Sequence, residues 1–163
     1  MKSLRELAAN EKLRVAIAES LTGGLVSAEL VRVAGASDFF LGSVIAYQDE
    51  IKIATLGVSP SVIHSQTSVD PEVAIQMAQG VRSKFARQCL VDYDLVLGIS
   101  TTGVAGPDSV GSNQPGLVYF GVSSAKVEQV VVEEFSGTRD EVRLAATNRA
   151  IELIREQLTA LAG

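Results

Sequence analysis

Histidine, cysteine and tryptophan are nearly missing from these 163 residues: there is one His, one Cys and no Trp. A lone cysteine cannot close a disulfide within the chain. One histidine with one cysteine also leaves no ordinary zinc ligand set, so no metal is expected. A Ser-His-Asp arrangement would have to use His64, whose sequence neighbours offer it no partner, and His64 is expected at the surface. Neither GxxxxGK(S/T) nor GxGxxG occurs, which removes the common phosphate-loop and dinucleotide fingerprints. No cofactor is expected. Positive charge is scarce as well: 14 Lys and Arg stand against 19 Asp and Glu, for a formal net charge of -5. Binding to a phosphate backbone rests on a basic face, so nucleic acid is not an expected partner, whereas a small anion needs only one or two cations. No apolar run reaches the length of a membrane span, and the opening MKSLRELAANEKLR lacks the apolar centre of a secretory signal. These absences predict no membrane partner and a cytoplasmic location.

What is present is apolar and regularly spaced. Hydrophobic residues make up 47% of the chain, and a chain of this length can bury roughly 70% of its unfolded surface. One domain over residues 1–163 is the expected organisation. SLRELAANEK (3–12) reads as a short helix and LRVAIA (13–18) as a strand covered on both faces. GGLVSAELVRV (23–33) reads as a helix, FFLGSVIAY (39–47) as a strand, and QDEIKIATLG as a short helix ended by Gly57. Residues 58–70 look like turns. Asp70 and Pro71 then start a helix of about five turns, whose stripe Val73, Met77, Val81, Phe85, Cys89 places Cys89 in the core. YDLVLGIST (93–101) is a strand that empties into the glycine- and proline-rich TGVAGPDSVGSNQPG. LVYFGVSS (117–124) and VEQVVVEEF (127–135) read as a hairpin, and Thr138 with Glu141 matches a capping box opening a last helix to Leu161. The alternation predicts a three-layer α/β/α arrangement in which the hairpin sets one antiparallel strand into a mostly parallel sheet.

Ligands of open α/β sheets bind beyond the carboxyl ends of the strands. Three segments fall there: Ser20–Gly24, Tyr47–Lys52 and Thr102–Pro107. Each has a structural reading, with Ser20 as a helix cap, Tyr47 as a wedge at the rim, and Lys52 as a solvated charge. Gly23 and Gly24 could serve close packing or let a ligand approach free N–H groups. With imidazole excluded, what remains is a hydroxyl nucleophile that relies on another base.

AESLTGG, the AGAS break, GSVIAYQDEIKIATLGV, GVAGP, PGLVYFGV and FSGTRDEVR follow one another along nearly the whole chain. In that combination they resemble the C-terminal domain of the CinA competence/damage-inducible family, whose members include nicotinamide-nucleotide amidohydrolases. The resemblance implies a mixed five-stranded sheet and hydrolysis of the carboxamide of nicotinamide mononucleotide to nicotinate mononucleotide and ammonia. It implies Ser20 as nucleophile, Tyr47 and Lys52 as its partners, and a homodimer or higher homo-oligomer. Thr22, Gly23, Gly24, Thr102, Gly103 and Gly106 then fall on the substrate, with Arg139 or Arg143 on its phosphate. The alternative within the same fold is a catalytically silent nucleotide-binding module or partner subunit. Leu21 stands where the family often has cysteine, and TSVD (67–70) where it often has G-A-V-S. Longer members carry a metal-dependent pyrophosphatase domain ahead of this one.

The chemistry sets a condition on Lys52. The base must be neutral before it accepts the serine proton. A free lysine is neutral in only about one molecule in a thousand near pH 7.4, so Lys52 is expected to be withdrawn from water. Tyr47 would relay the proton or hydrogen-bond the leaving ammonia, and the N–H groups of Leu21–Gly24 would face the oxyanion.

Overall fold

The computed structural model describes residues 2–161. Its apolar runs form five strands: β1 (Arg14–Glu19), β2 (Phe40–Ile45), β3 (Val96–Gly103), β4 (Leu117–Ser123) and β5 (Glu128–Glu134). They make one sheet in the order β2-β1-β3-β4-β5. β1 pairs in parallel with β2 and β3, whereas β3 with β4 and β4 with β5 are antiparallel. The sheet is therefore mixed, as expected, and only β4 runs against the rest. Its pairings nevertheless divide evenly, two parallel and two antiparallel.

Side chains alternate between the faces because successive strand residues point in opposite directions. Val15 and Ile17 of β1, Leu97 and Ile99 of β3, and Val118, Phe120 and Val122 of β4 share one core. Helices α1 (Leu4–Asn10), α2 (Leu25–Val31) and α6 (Arg139–Leu161) cover it with residues such as Leu7, Leu30 and Leu153. Ala16 and Ala18 face the other way. There, α3 (Asp49–Leu56), α4 (Pro60–Ser65) and α5 (Pro71–Cys89) bring Leu56, Ile63, Val73, Met77 and Val81. Three layers result.

The small residues on that second face let α5 come unusually close. A Cβ on Gly121 would lie 2.2 Å from the Ala74 carbonyl oxygen, and one on Gly98 would lie 2.3 Å from that of Ala78. Between them, Ser100 Oγ donates to the Ala74 carbonyl (2.6 Å) and accepts from the Gly121 N–H (3.1 Å). One hydroxyl thus ties the helix to two strands.

Three expectations need correction. Residues 58–70 are not all turns, because Pro60 at a helical first position opens α4. The third strand begins at Val96, after a short 3-10 turn over Tyr93–Leu95. Cys89 is exposed, not packed. The reason is its place along α5: Arg87, Gln88, Cys89 and Leu90 are all exposed, so the helix has run past the core by its last turn, whichever face a residue occupies. Ala78 and Arg82, on the same face as Cys89 but nearer the middle of α5, are buried. His64 is exposed, as expected.

Gly121→Ala should lower the unfolding free energy by about 2 kcal/mol or more, since the added methyl must push α5 off the sheet. Urea denaturation followed by circular dichroism measures it, and an unchanged midpoint would mean that α5 can retreat freely.

Candidate active site

The parallel register brings three strand ends level: Glu19 of β1 lies opposite both Ile45 of β2 and Thr101 of β3. The pairing continues one step further, with Ser20 N–H donating to the Thr101 carbonyl (2.9 Å) and Ala46 N–H to that of Glu19 (2.8 Å). Ser20, Tyr47 and Thr102 therefore emerge side by side, as the topology of the sheet requires. With Lys52, Gly103, Gly106 and Arg139 they line one cleft of about 370 Å³, within the roughly 300–1,000 Å³ range of small-molecule sites. Ser68, Val69 and Asp108 complete its walls.

Lys52 is the most unusual of these residues. Only 1% of it is exposed, although a lysine is almost never fully buried unless paired. Its Nζ donates to the Tyr47 carbonyl oxygen (3.0 Å) and to Asp49 Oδ1 (3.1 Å). The five-residue spacing works because Tyr47 precedes α3 in extended chain while Lys52 lies one helical turn in, so the amine folds back onto the strand end. The expected withdrawal from water is observed. The Tyr47 hydroxyl, by contrast, does not meet the amine: it accepts from Arg139 (3.2 Å), and Tyr47 is 55% exposed at the mouth of the cleft.

Beneath Ser20 lies a group that the sequence reading passed over. Glu19 is wholly buried at the end of β1. Its Oε2 accepts from Thr22 Oγ1 (2.8 Å), Gly24 N–H (2.9 Å) and Val26 N–H (3.2 Å). Its Oε1 accepts from the Ser27 N–H (3.0 Å) and the Ser27 hydroxyl. The carboxylate thus satisfies the orphan donors at the start of α2, where the helix dipole also favours negative charge. Gly24, the residue before α2, takes φ +99°, which glycine alone adopts without strain. A lone glutamate at the end of an otherwise apolar strand was the available signal.

This arrangement narrows the expected oxyanion donors. Gly24, Val26 and Ser27 give their N–H groups to Glu19, Gly23 gives its own to Ser20, and Leu25 to Thr22. Among the described residues, the N–H groups of Leu21 and Thr22 have no acceptor, and of the two residues Leu21 lies on the cleft wall. Thr22 is fully buried, its hydroxyl shared with Glu19 and Thr101 (2.8 Å each). Thr22, Gly23 and Gly24 thus support the turn without lining the cleft.

The two candidate arginines also separate. Arg139 is exposed beside the cleft, its NH1 donating to the Gly106 carbonyl (2.6 Å). The Thr138–Glu141 capping box fixes the start of α6, with Thr138 N–H donating to Glu141 Oε2 (2.7 Å) and holding that carboxyl below its ordinary range. Arg143, one turn on, donates to the carbonyls of Leu21 (3.0 Å) and Thr22 (3.3 Å) and braces the turn from outside the cleft. Thr102 Oγ1 donates to the Ser68 carbonyl (2.6 Å) and ties the sheet to the opposite wall. No group of three potential metal-ligating side chains occurs among the described residues, and no helix among them is long and apolar enough to cross a membrane.

The family model of the CinA C-terminal domain matches residues 1–158. A CinA-like protein of Dictyoglomus thermophilum is 38% identical over 157 residues, covering 96% of this chain and 36% of that protein. Another, from Thermosynechococcus vestitus, is 43% identical over 148 residues, covering 88% of this chain and 34% of its own. The chain thus spans about a third of the length of the curated relatives it matches. The crystal structure of the competence/damage inducible protein CihA from Agrobacterium tumefaciens has a TM-score of 0.77 at 27% identity and is matched over 100% of both chains.

Glu19→Ala should destabilise the protein by about 3 kcal/mol or more, because several buried donors lose their acceptor at once. Glu19→Gln should cost less, its amide retaining one acceptor oxygen. Equilibrium unfolding in urea provides the comparison, and stability equal to the parent in both variants would exclude Glu19 as the anchor of the turn.

Proposed function

The chain belongs to the CinA C-terminal domain family, and from that premise we propose that it is a nicotinamide-nucleotide amidohydrolase. It would convert the carboxamide of nicotinamide mononucleotide into the carboxylate with release of ammonia. The observation that carries this reading is the burial of the Lys52 side chain on the wall of the cleft that Ser20 also lines. A lysine in contact with bulk water would be a poor base there.

In this mechanism Ser20 Oγ attacks the carboxamide carbon while its proton passes to the neutral amine of Lys52. The carbonyl π pair moves onto oxygen, where Leu21 N–H is the nearest free donor in sequence to stabilise it. Collapse of the tetrahedral species breaks the C–N bond, and the proton held by Lys52 goes to the departing nitrogen, which leaves as ammonia. Water then attacks the acyl-serine by the same route, giving the carboxylate and restoring Ser20. The pyridinium ring withdraws electrons from the carboxamide and makes it a better electrophile. Tyr47, whose hydroxyl accepts from Arg139, keeps its own O–H to hydrogen-bond the leaving nitrogen without giving up the proton. Arg139, at the mouth of the cleft, is the cation for the phosphate.

A nucleotide-binding module without turnover is the competing reading. The Lys52–Asp49 contact favours it, because a permanently charged amine would fill the same place.

An ammonia-coupled assay with nicotinamide mononucleotide, with nicotinamide riboside as control, decides between them. Ser20→Ala and Lys52→Ala should each lower kcat by at least about a hundredfold with the circular dichroism spectrum unchanged. Nucleotide binding without ammonia in the parent protein would overturn the enzymatic reading. Arg139→Ala should raise KM more than it lowers kcat, and should have no effect on the riboside. A change confined to kcat would remove Arg139 from the phosphate site.

A further inference from the structure

An amine nitrogen has three positions beyond its carbon, and in Lys52 two of them are spoken for. One hydrogen is donated to the Tyr47 carbonyl oxygen at 3.0 Å and another to Asp49 Oδ1 at 3.1 Å. Among the described residues no third acceptor meets Nζ, and the residue lines the same cleft as Ser20. We propose that Asp49 is the positioning residue of this amine: with the Tyr47 carbonyl it fixes the rotation about the Cε–Nζ bond, so that the third position alone exchanges protons with the cleft. This rests on the amidohydrolase reading above.

The consequence is specific to the neutral amine. Both of its hydrogens are engaged by oxygen acceptors, so the lone pair is the only group left for the open position, which is the state required to accept the Ser20 proton. After transfer, the new N–H lies on the cleft side and the carboxylate of Asp49 faces the ammonium just formed. The proton then returns from that same position to the departing nitrogen. Asp49 occupies the first turn of α3, three residues before Lys52, with its side chain 42% exposed. It therefore reaches Nζ from the helix that carries the lysine, without itself lining the cleft. Other ionisable groups around the cleft are differently occupied or more distant in the structure. The Tyr47 hydroxyl and the Arg139 guanidinium bond to each other, and Asp108 stands on the loop after β3. Among the described residues, Asp49 supplies the one carboxylate in contact with Nζ, at 3.1 Å.

Asp49→Asn keeps an acceptor oxygen and removes the charge, whereas Asp49→Ala removes both. Steady-state kinetics with nicotinamide mononucleotide across pH should be combined with carbon-13 NMR titration of the Lys52 Cε signal, which needs no turnover. Asp49→Ala should lower kcat by about ten- to a hundredfold, part of the 10²–10⁴ that a general base contributes, with KM within about twofold. Asp49→Asn should lose less. In Asp49→Asn the acid limb of kcat/KM and the Lys52 titration midpoint should both move to lower pH, because the ammonium has lost its anionic neighbour. Folded Asp49→Ala with the parent kcat, a loss confined to KM, or a Lys52 midpoint indifferent to both substitutions would each overturn the assignment. If the parent protein releases no ammonia, the amidohydrolase reading fails, and the NMR titration still decides the coupling. A midpoint that moves retains Asp49 as the partner of Lys52, and one that stays overturns it.

Discussion

A carboxylate without water needs donors, and at the end of β1 Glu19 finds five from the turn and helix that follow it. The interaction is reciprocal. The first amides of α2 would otherwise be orphaned against the sheet, and the charge would otherwise be stranded in the core. Because Ser20 lies between the strand that supplies the carboxylate and the turn that supplies the donors, its position follows from satisfying both. The Thr22–Thr101 hydroxyl contact and the Arg143 bonds to the carbonyls of Leu21 and Thr22 close the remaining sides. The chemistry proposed for Ser20 presupposes this cage.

The opposite side of the cleft is built by a different means. Glycine and serine on β3 and β4 let α5 settle almost onto the backbone of the sheet. The segment leading into α5 is then drawn against Thr102, whose hydroxyl binds the Ser68 carbonyl. Lys52 arrives from α3, folded back onto the end of β2. Three elements far apart in sequence thus converge through three kinds of contact: a buried carboxylate, backbone-to-backbone approach, and an amine held by two oxygens.

Much of this was legible in the order of residues. Strands betrayed themselves by apolar runs such as RVAIA and YDLVLGIST, and the level ends of parallel strands predicted that Ser20, Tyr47, Lys52 and Thr102 would meet. Periodicity failed at Cys89 because it gives a residue's face and not how far along a helix the core extends. It also failed at α4, whose six residues are too few to show a period. The partners of charged groups lay beyond it. Glu19 was passed over at the end of its strand, and nothing in QDEIKIATLG sets Asp49 apart from the neighbouring Glu50. Only the folded geometry distinguishes an anchor from an ordinary first-turn acid. The same limit applies to Arg139 and Arg143, four residues apart on one helix, of which one reaches the cleft and the other the back of the serine turn.

The bond from Arg143 to the Leu21 carbonyl joins positions 122 residues apart. As the chain leaves the ribosome, everything up to β5 can collapse while the serine turn still lacks its outer brace, because non-local contacts must wait for their second half. Helix α6, translated after all five strands, sets a turn that directly follows the first of them. A nascent polypeptide would thus carry Ser20 in an unfinished pocket until α6 has emerged.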